Sequence, residues 1–461
     1  MQRKIYIAVV VFFLAFDFAK AQEAVDVLSG LIKFPSVSGK ESEAAKYLQK
    51  ICEQKGLYIR VFSESDSAYN FSASLFPLSD NKPNIILLNH LDVVPANETK
   101  DWKYPPYSGA VVKDTVWGRG ALDMKGIAVM QLMALLKLKE KTGTDFKYNV
   151  TLLCLGNEES GGKNGAKIIC DNYLDELKPA VVFGEGGVGL RNVIPGNAGK
   201  KVFFVSVAEK KSLWIKLEAK LRSHGHASMP SNRNANKIIL NAITKVENND
   251  PKIKFDRTTK TTFKKLGKLV PGFKGFILSH IYWGIFKPIR KKVLSQNEML
   301  LPMVQNTFQL TSITNPPGAL NQISAVSTAY FDCRLLPRFH EKPFTIKRLM
   351  RVLDPRIKLT ILDESPEAEP TKPDHYYDLF SEAIKKVHSD AEVIPFLFLA
   401  SSDNSYFRNK KVPTYGIMPL ELNAELMQTV HGVNERIPVS GLNSGIEVYY
   451  NFFESLLNEK K

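Results

Sequence analysis

No serine in this sequence stands in a Gly-x-Ser-x-Gly elbow, which sets aside the serine hydrolases that depend on that strained turn. Cysteine is scarce. Cys52, Cys154, Cys170 and Cys333 are too few and too scattered for a disulfide scaffold. Cys154 and Cys333 fall in apolar strands and read as buried thiols, while a Cys52–Cys170 bridge is left open. Long apolar runs are missing as well, because the N-terminal stretch 5–16 is shorter than the roughly 20 residues that span a bilayer. With Arg3 and Lys4 before it and Ala19-Lys20-Ala21 after it, that stretch reads as a signal peptide, the mature chain starting at Gln22. Acidic residues are outnumbered, 47 against 62 Lys and Arg, for a formal charge of +15. Nucleic acid is not a partner expected of an exported chain, so an anionic membrane surface is the other reading of this excess.

What is present is globular. At 461 residues, 44% hydrophobic and 24% charged, the chain can bury two substantial cores. One stretch organises it: IILLNHLDVVP from Ile85, then a polar loop, then VWGRGALDMKG. An apolar run over 85–88 delivers His90 and Asp92 two residues apart. If 89–92 continue the strand, both project to one face, so that His90 can ligate a metal while Asp92 fixes its other ring nitrogen. Asp123 follows Gly118 and Gly120 in a turn that opens an apolar helix. The GxG is not a dinucleotide loop, because Asp123 occupies the third glycine position and no acidic residue on a following strand completes the fingerprint.

The pattern predicts helices over 22–57 broken at Pro35–Gly39, strands at 58–62, 71–75 and 85–88, a helix after Gly126, and a strand at 150–155 running into Gly156-Asn157-Glu158-Glu159. Alternating strands and helices point to an α/β sandwich. Paired carboxylates at the end of a buried strand need positive compensation, which a divalent metal supplies; one can ligate while the other acts as general base. A further apolar strand, 180–183, ends in Gly184-Glu185-Gly186-Gly187. Ligands gather at such strand ends. Near the carboxyl terminus, His431-Gly432-Val433-Asn434-Glu435 offers the second imidazole that a site with His90, Asp123, Glu159 and Glu185 still needs.

Those five motifs, in this order, resemble the dinuclear-zinc metallopeptidase family of glutamate carboxypeptidase, aminoacylase, carnosinase and succinyl-diaminopimelate desuccinylase, over essentially the whole mature chain. The resemblance implies an α/β/α catalytic domain of zinc-exopeptidase type, in two parts, 22–211 and 365–461, with an inserted α+β lid and dimerisation domain at 212–364. It implies two Zn2+ ions, Co2+ or Mn2+ being possible substitutes: His90 and Glu185 for one, Glu159 and His431 for the other, Asp123 bridging. Asp92 would orient His90, and Glu158 would be the catalytic base. Within the lid, His226 in GHASMP would enter the partner subunit's site of a homodimer and help stabilise the oxyanion; His224 does not align. Arg334 would clamp a substrate carboxylate or, failing that, pair with Asp332, and Asn306 would stand near the same pocket.

Two departures from the family stand out. Where relatives carry a glycine-rich GGTD, this chain has Ala400-Ser401-Ser402-Asp403, whose added side chains are expected to narrow the pocket. An insert near 250–302 holds LVPGFKGFILSHIYWGIF between clusters of lysine and arginine. It is read three ways: lying on an anionic membrane, lining an acyl channel, or covering the lid as core. Its likeness to Gly-X carboxypeptidase and N-fatty-acyl amino acid hydrolases leans toward apolar substrates. The expected function is an exported, di-zinc hydrolase of a peptide or N-acyl amide bond beside a free carboxylate. The competing reading is a membrane-surface binding protein on a retired scaffold.

Overall fold

The computed structural model describes residues 22–459 except 66–67, 98, 223–224, 230–233, 250 and 339. The signal-peptide reading and His224 therefore lie outside the described residues. The larger of two main sheets has eight strands, in the order Tyr58–Ser65, Ala68–Ser74, Asn149–Leu155, Asn84–His90, Pro179–Arg191, Thr414–Leu422, Lys201–Glu209, Ala391–Phe398. The central four, from Asn149–Leu155 to Thr414–Leu422, run parallel. Such strands are buried on both faces, which is why their sequences are unbroken apolar runs rather than alternations.

The two faces are packed separately. Ile85 and Leu87 join one core with the helices Ser42–Gln54, Lys125–Lys139, His375–Val387 and Val439–Leu457. Ile86 and Leu88 join another with the helices Ala166–Asn172 and Asn404–Asn409. The result is a helix–sheet–helix sandwich in which residue alternation assigns each side chain to a layer. The Cys52–Cys170 bridge does not form. Both are buried free thiols, Cys52 in the first of these cores and Cys170 in the second, with the sheet between them.

A second, four-stranded antiparallel sheet runs Thr307–Thr314, Val326–Leu335, Lys211–Lys220, Ile357–Glu364. Ala329, Phe331, Cys333 and Leu335 point into its core against the helices Ala235–Glu247 and Glu341–Val352. Arg334 and Asp332 therefore face the other way.

The insert behaves differently from any plain covering of this smaller sheet. Its helix Arg257–Leu269 packs on Ala391–Phe398 of the large sheet, burying Phe263 beside Phe396 and Leu266 beside Ile394. Thr262 donates to the Pro395 carbonyl at 2.7 Å and Lys265 to that of Val393 at 3.0 Å. The insert thus completes the helical layer where the sheet would otherwise end bare. No helix of the described residues is long and apolar enough to cross a membrane.

Candidate metal centre

Polar groups gather along the carboxyl-terminal edge of the central parallel strands. His90 is the last residue of Asn84–His90, and Glu158 and Glu159 follow Asn149–Leu155 through Asn157, which adopts the left-handed conformation (φ 70°). Glu185 differs from the sequence reading: its strand does not stop at Phe183 but runs to Arg191, so Glu185 projects from mid-strand. Its carbonyl accepts from Asn404 Nδ2 at 2.6 Å. His431, also left-handed (φ 59°), lies beyond Thr414–Leu422.

Asp123 sits between the two imidazoles. Oδ1 is 3.2 Å from His90 Nε2, and Oδ2 is 3.0 Å from His431 Nε2. His431 Nε2 also lies 3.1 Å from Glu159 Oε1, and His90 Nε2 lies 3.9 Å from both Glu185 Oε2 and Glu158 Oε2. Donor atoms of His90, Asp123 and Glu185 fall within 4.8 Å of one another, and so do those of Asp123, Glu159 and His431. His90, Glu158 and Glu159 form a third such group, and the first two groups share the Asp123 carboxylate.

Electrostatics show how much positive charge the cluster wants. Burial would lower the His90 imidazole, but the Asp123 and Asp92 carboxylates outweigh it and hold His90 well above the usual range. Hydrogen bonds to Asp123 and Glu159 raise His431 to about 10. Asp123, despite its burial, is held low by the two imidazoles. Burial pushes Glu158 and Glu185 well up, each with a second carboxylate beside it, and lifts Asp403 to about 7. Asp403 Oδ2 is buried with no hydrogen-bond partner. Two protonated imidazoles do not satisfy this many carboxyl groups; mixed nitrogen and oxygen donors around divalent cations would.

Asp92 supports the centre in a manner the strand geometry does not suggest. The strand ends at His90, whose Nδ1 lies 3.0 Å from the main-chain carbonyl of Asp92 and 3.5 Å from its carboxylate. That carboxylate instead accepts from the amides of Glu158 and Glu159, both at 3.1 Å, and from Ser38 Oγ at 2.6 Å. It anchors the acidic turn as much as the histidine.

Glu435 is the residue that sequence reasoning passed over. Fully buried, it accepts from Arg119 Nη1 at 2.7 Å and from the amides of Gly120, Leu122 and Asp123 at 2.9 to 3.0 Å. Arg119 Nη2 donates in turn to the His431 carbonyl. A small sheet, in which Thr115–Trp117 pairs with Arg436–Pro438, brings these loops together. The loop bearing Asp123 and the loop bearing His431 are thereby one structure.

A cavity of about 490 Å3 opens over the cluster, with Asp123, Glu158, Glu159, Glu185 and His431 on its floor. Trp214 and Arg334 from the smaller sheet and Phe398 from the larger line its walls, with Ala400 to Asp403 between. Arg334 grips Asp332 through Nε and Nη2, both at 2.8 Å, so the pairing with Asp332 and the position on the cavity wall coexist. Asn306 is not there. It is buried elsewhere, donating to Glu341 and Thr345 and accepting from Leu336 N, and so braces the smaller unit. His226 is also away from this cavity, exposed, with ring nitrogens 2.8 Å from Ser228 Oγ and 2.9 Å from Asn321 Nδ2.

Comparison with known proteins agrees with this geometry. The chain is 28% identical over 453 residues to the N-fatty-acyl-amino acid synthase/hydrolase of Mus musculus, covering 93% of this chain and 87% of that protein. It is 28% identical over 410 residues to a carboxypeptidase S-like protein of Dictyostelium discoideum, covering 87% and 76%. Among solved structures, a metallo-carboxypeptidase from Sulfolobus solfataricus superposes with a TM-score of 0.71 at 20% identity, over 94% of this chain and 99% of that one. The model of peptidase family M20/M25/M40 matches residues 86–455, a span that holds every residue of the cluster. The chain therefore belongs to that family and is a metal-dependent hydrolase of peptide or linear amide bonds.

Proposed function

We propose that this is an exported di-zinc hydrolase that cleaves an amide bond between an apolar acyl or peptidyl group and an amino acid whose carboxylate is free. The supporting observation is Asp123, each of whose oxygens lies near a different imidazole, as a bridging ligand requires. His90 and Glu185 would hold one ion, and Glu159 and His431 the other. When bound, such ions polarise a carbonyl and supply a nucleophile from water at neutral pH.

The chain's own groups account for the rest. Glu158 faces the cavity beside the Asp123-bridged donors, and although it also lies within reach of His90 and Glu159, in this scheme it is the base that takes a proton from the attacking water and returns it to the departing amine. Arg334, already oriented by Asp332, presents guanidinium donors toward a substrate carboxylate. Trp214 and Phe398 give an acyl or side-chain group an apolar wall. His226 belongs to the same scheme only in a homodimer formed through the smaller unit, where it would serve the partner subunit's cavity and stabilise the oxyanion.

A hydrolysis screen of N-acyl amino acids against dipeptides, run with Glu158→Gln beside the wild type, tests this reading. The variant is expected to keep its metal and lose roughly 100-fold or more in turnover. A fully active variant overturns the role of Glu158, and equal turnover of substrates with a blocked carboxylate overturns the role of Arg334.

A further inference from the structure

The outer surface of the insert has no part in the chemistry above. Its inner side is core, yet Phe273 is 72% and Ile285 79% exposed, with Phe276, Trp283 and Ile289 also open to solvent. The rings among them form one ridge. Phe273 stacks on Phe276 with ring centroids 6.0 Å apart, Phe276 meets Trp283 edge-on at 6.3 Å, and His280 lies between them at 4.4 and 4.2 Å. The ridge is held in place. Arg290 donates to the carbonyls of Ile281, Tyr282 and Trp283, and Gly267 and Gly275 let the helices Arg257–Leu269 and Gly272–Ser279 close on each other.

Charge decides what covers this ridge. Between residues 257 and 297 there are ten lysines and arginines and no aspartate or glutamate. Lys274 lies between the two phenylalanines in sequence, and Lys287 and Lys292 are exposed on the adjoining helix Lys287–Leu294. A second copy of the same face would meet like charge with like. Anionic lipid headgroups would take the lysines while the rings and Ile285 settle at the acyl boundary.

We propose that the tip of the insert, around Phe273, Phe276, Trp283 and Ile285, is a docking surface for an anionic phospholipid bilayer, on which the enzyme lies without crossing it. Phe398 joins the two regions, since it packs against the insert's core and lines the cavity, so the surface-bound insert and the reaction site share a wall.

The test uses the full chain carrying Ile285→Cys with an environment-sensitive fluorophore, the native cysteines being buried. Vesicles of phosphatidylcholine with and without phosphatidylglycerol are titrated in. Emission should rise and shift to the blue with the anionic vesicles, and the apparent affinity should fall at least ten-fold in Lys274→Ala/Lys287→Ala/Lys292→Ala at unchanged melting temperature. Phe273→Ser, with the same label, should weaken binding as well. An unshifted label, an equal response to neutral vesicles, or a shift that depends on protein concentration without vesicles would overturn the proposal, the last by assigning the ridge to a second copy.

Discussion

Glu41 shows how a single buried side chain beneath the acidic turn makes stability depend on pH. It is fully buried, the main-chain amides of Gly39, Lys40 and Glu41 offset that burial only in part, and Oε1 lies where a side chain on Gly156 would begin, under the turn that carries Glu158. Burial raises its pKa from 4.5 to about 7. Between those values the folded chain keeps a proton that the unfolded chain releases, so stability falls as pH rises through this window and the full cost stands above it. Replacing Glu41 with Gln removes the charge. The variant should gain on the wild type as pH rises from 5 to 8 in thermal melts, by up to about 3 kcal/mol; parallel stability curves would refute the assignment. At this scale the sequence was readable where a residue type ends or follows a strand, as with His90 and the Glu158–Glu159 pair, whereas Glu185 stands in mid-strand. Glu435 was not readable, because three of its four partners are main-chain amides and all lie more than 300 residues away. No local pattern records such a partner.

Elements place the ligands only if the strands beneath them approach closely. Gly416 lies so near Glu185 that a Cβ there would be 1.9 Å from the Glu185 carbonyl oxygen. Gly416→Ala must push apart the strands Thr414–Leu422 and Pro179–Arg191, with a cost of about 1–3 kcal/mol typical of overpacking. The melting temperature should drop and metal should bind more weakly, as read by titration with a competing chelator; unaltered metal binding would contradict the dependence of the centre on this close approach. The strands at 85–88, 150–155 and 180–183 were legible because buried parallel strands are continuous apolar runs, whereas Lys201–Glu209, Ala391–Phe398 and Thr414–Leu422 were not predicted. Strand ends were less legible. Pro179–Arg191 continues through Gly184-Glu185-Gly186-Gly187, where glycines lower strand propensity but pairing with Thr414–Leu422 and Lys201–Glu209 carries the chain onward. At Asp92 only the strand premise failed: the strand stops at His90, yet Asp92 still meets His90 Nδ1 through its carbonyl at 3.0 Å and its carboxylate at 3.5 Å.

At the scale of the whole molecule, a cavity lies between two units, and Trp214 and Arg334 reach it from the smaller one. The alternation along Val326–Leu335 foretold which face Arg334 would take, whereas the packing of the insert on the large sheet depended on long-range contacts that no periodicity encodes. Asn306 went astray because a buried asparagine is as useful for bracing a loop as for meeting a substrate. If His226 serves the partner's site, two dead variants should rescue each other. Mixing His226→Ala with Glu158→Gln under conditions that allow exchange should restore about a quarter of wild-type turnover, since half the dimers then hold one complete site. No rescue would return His226 to the surface of its own chain.

All of this depends on a pair of cations gathered around Asp123. Elemental analysis of the purified chain, wild type against Asp123→Ala, measures that directly. The account predicts two divalent ions per wild-type chain and fewer than one in the variant, both chains remaining folded. A wild type that takes up no divalent metal when supplied with it, or a variant that retains both ions, would contradict it.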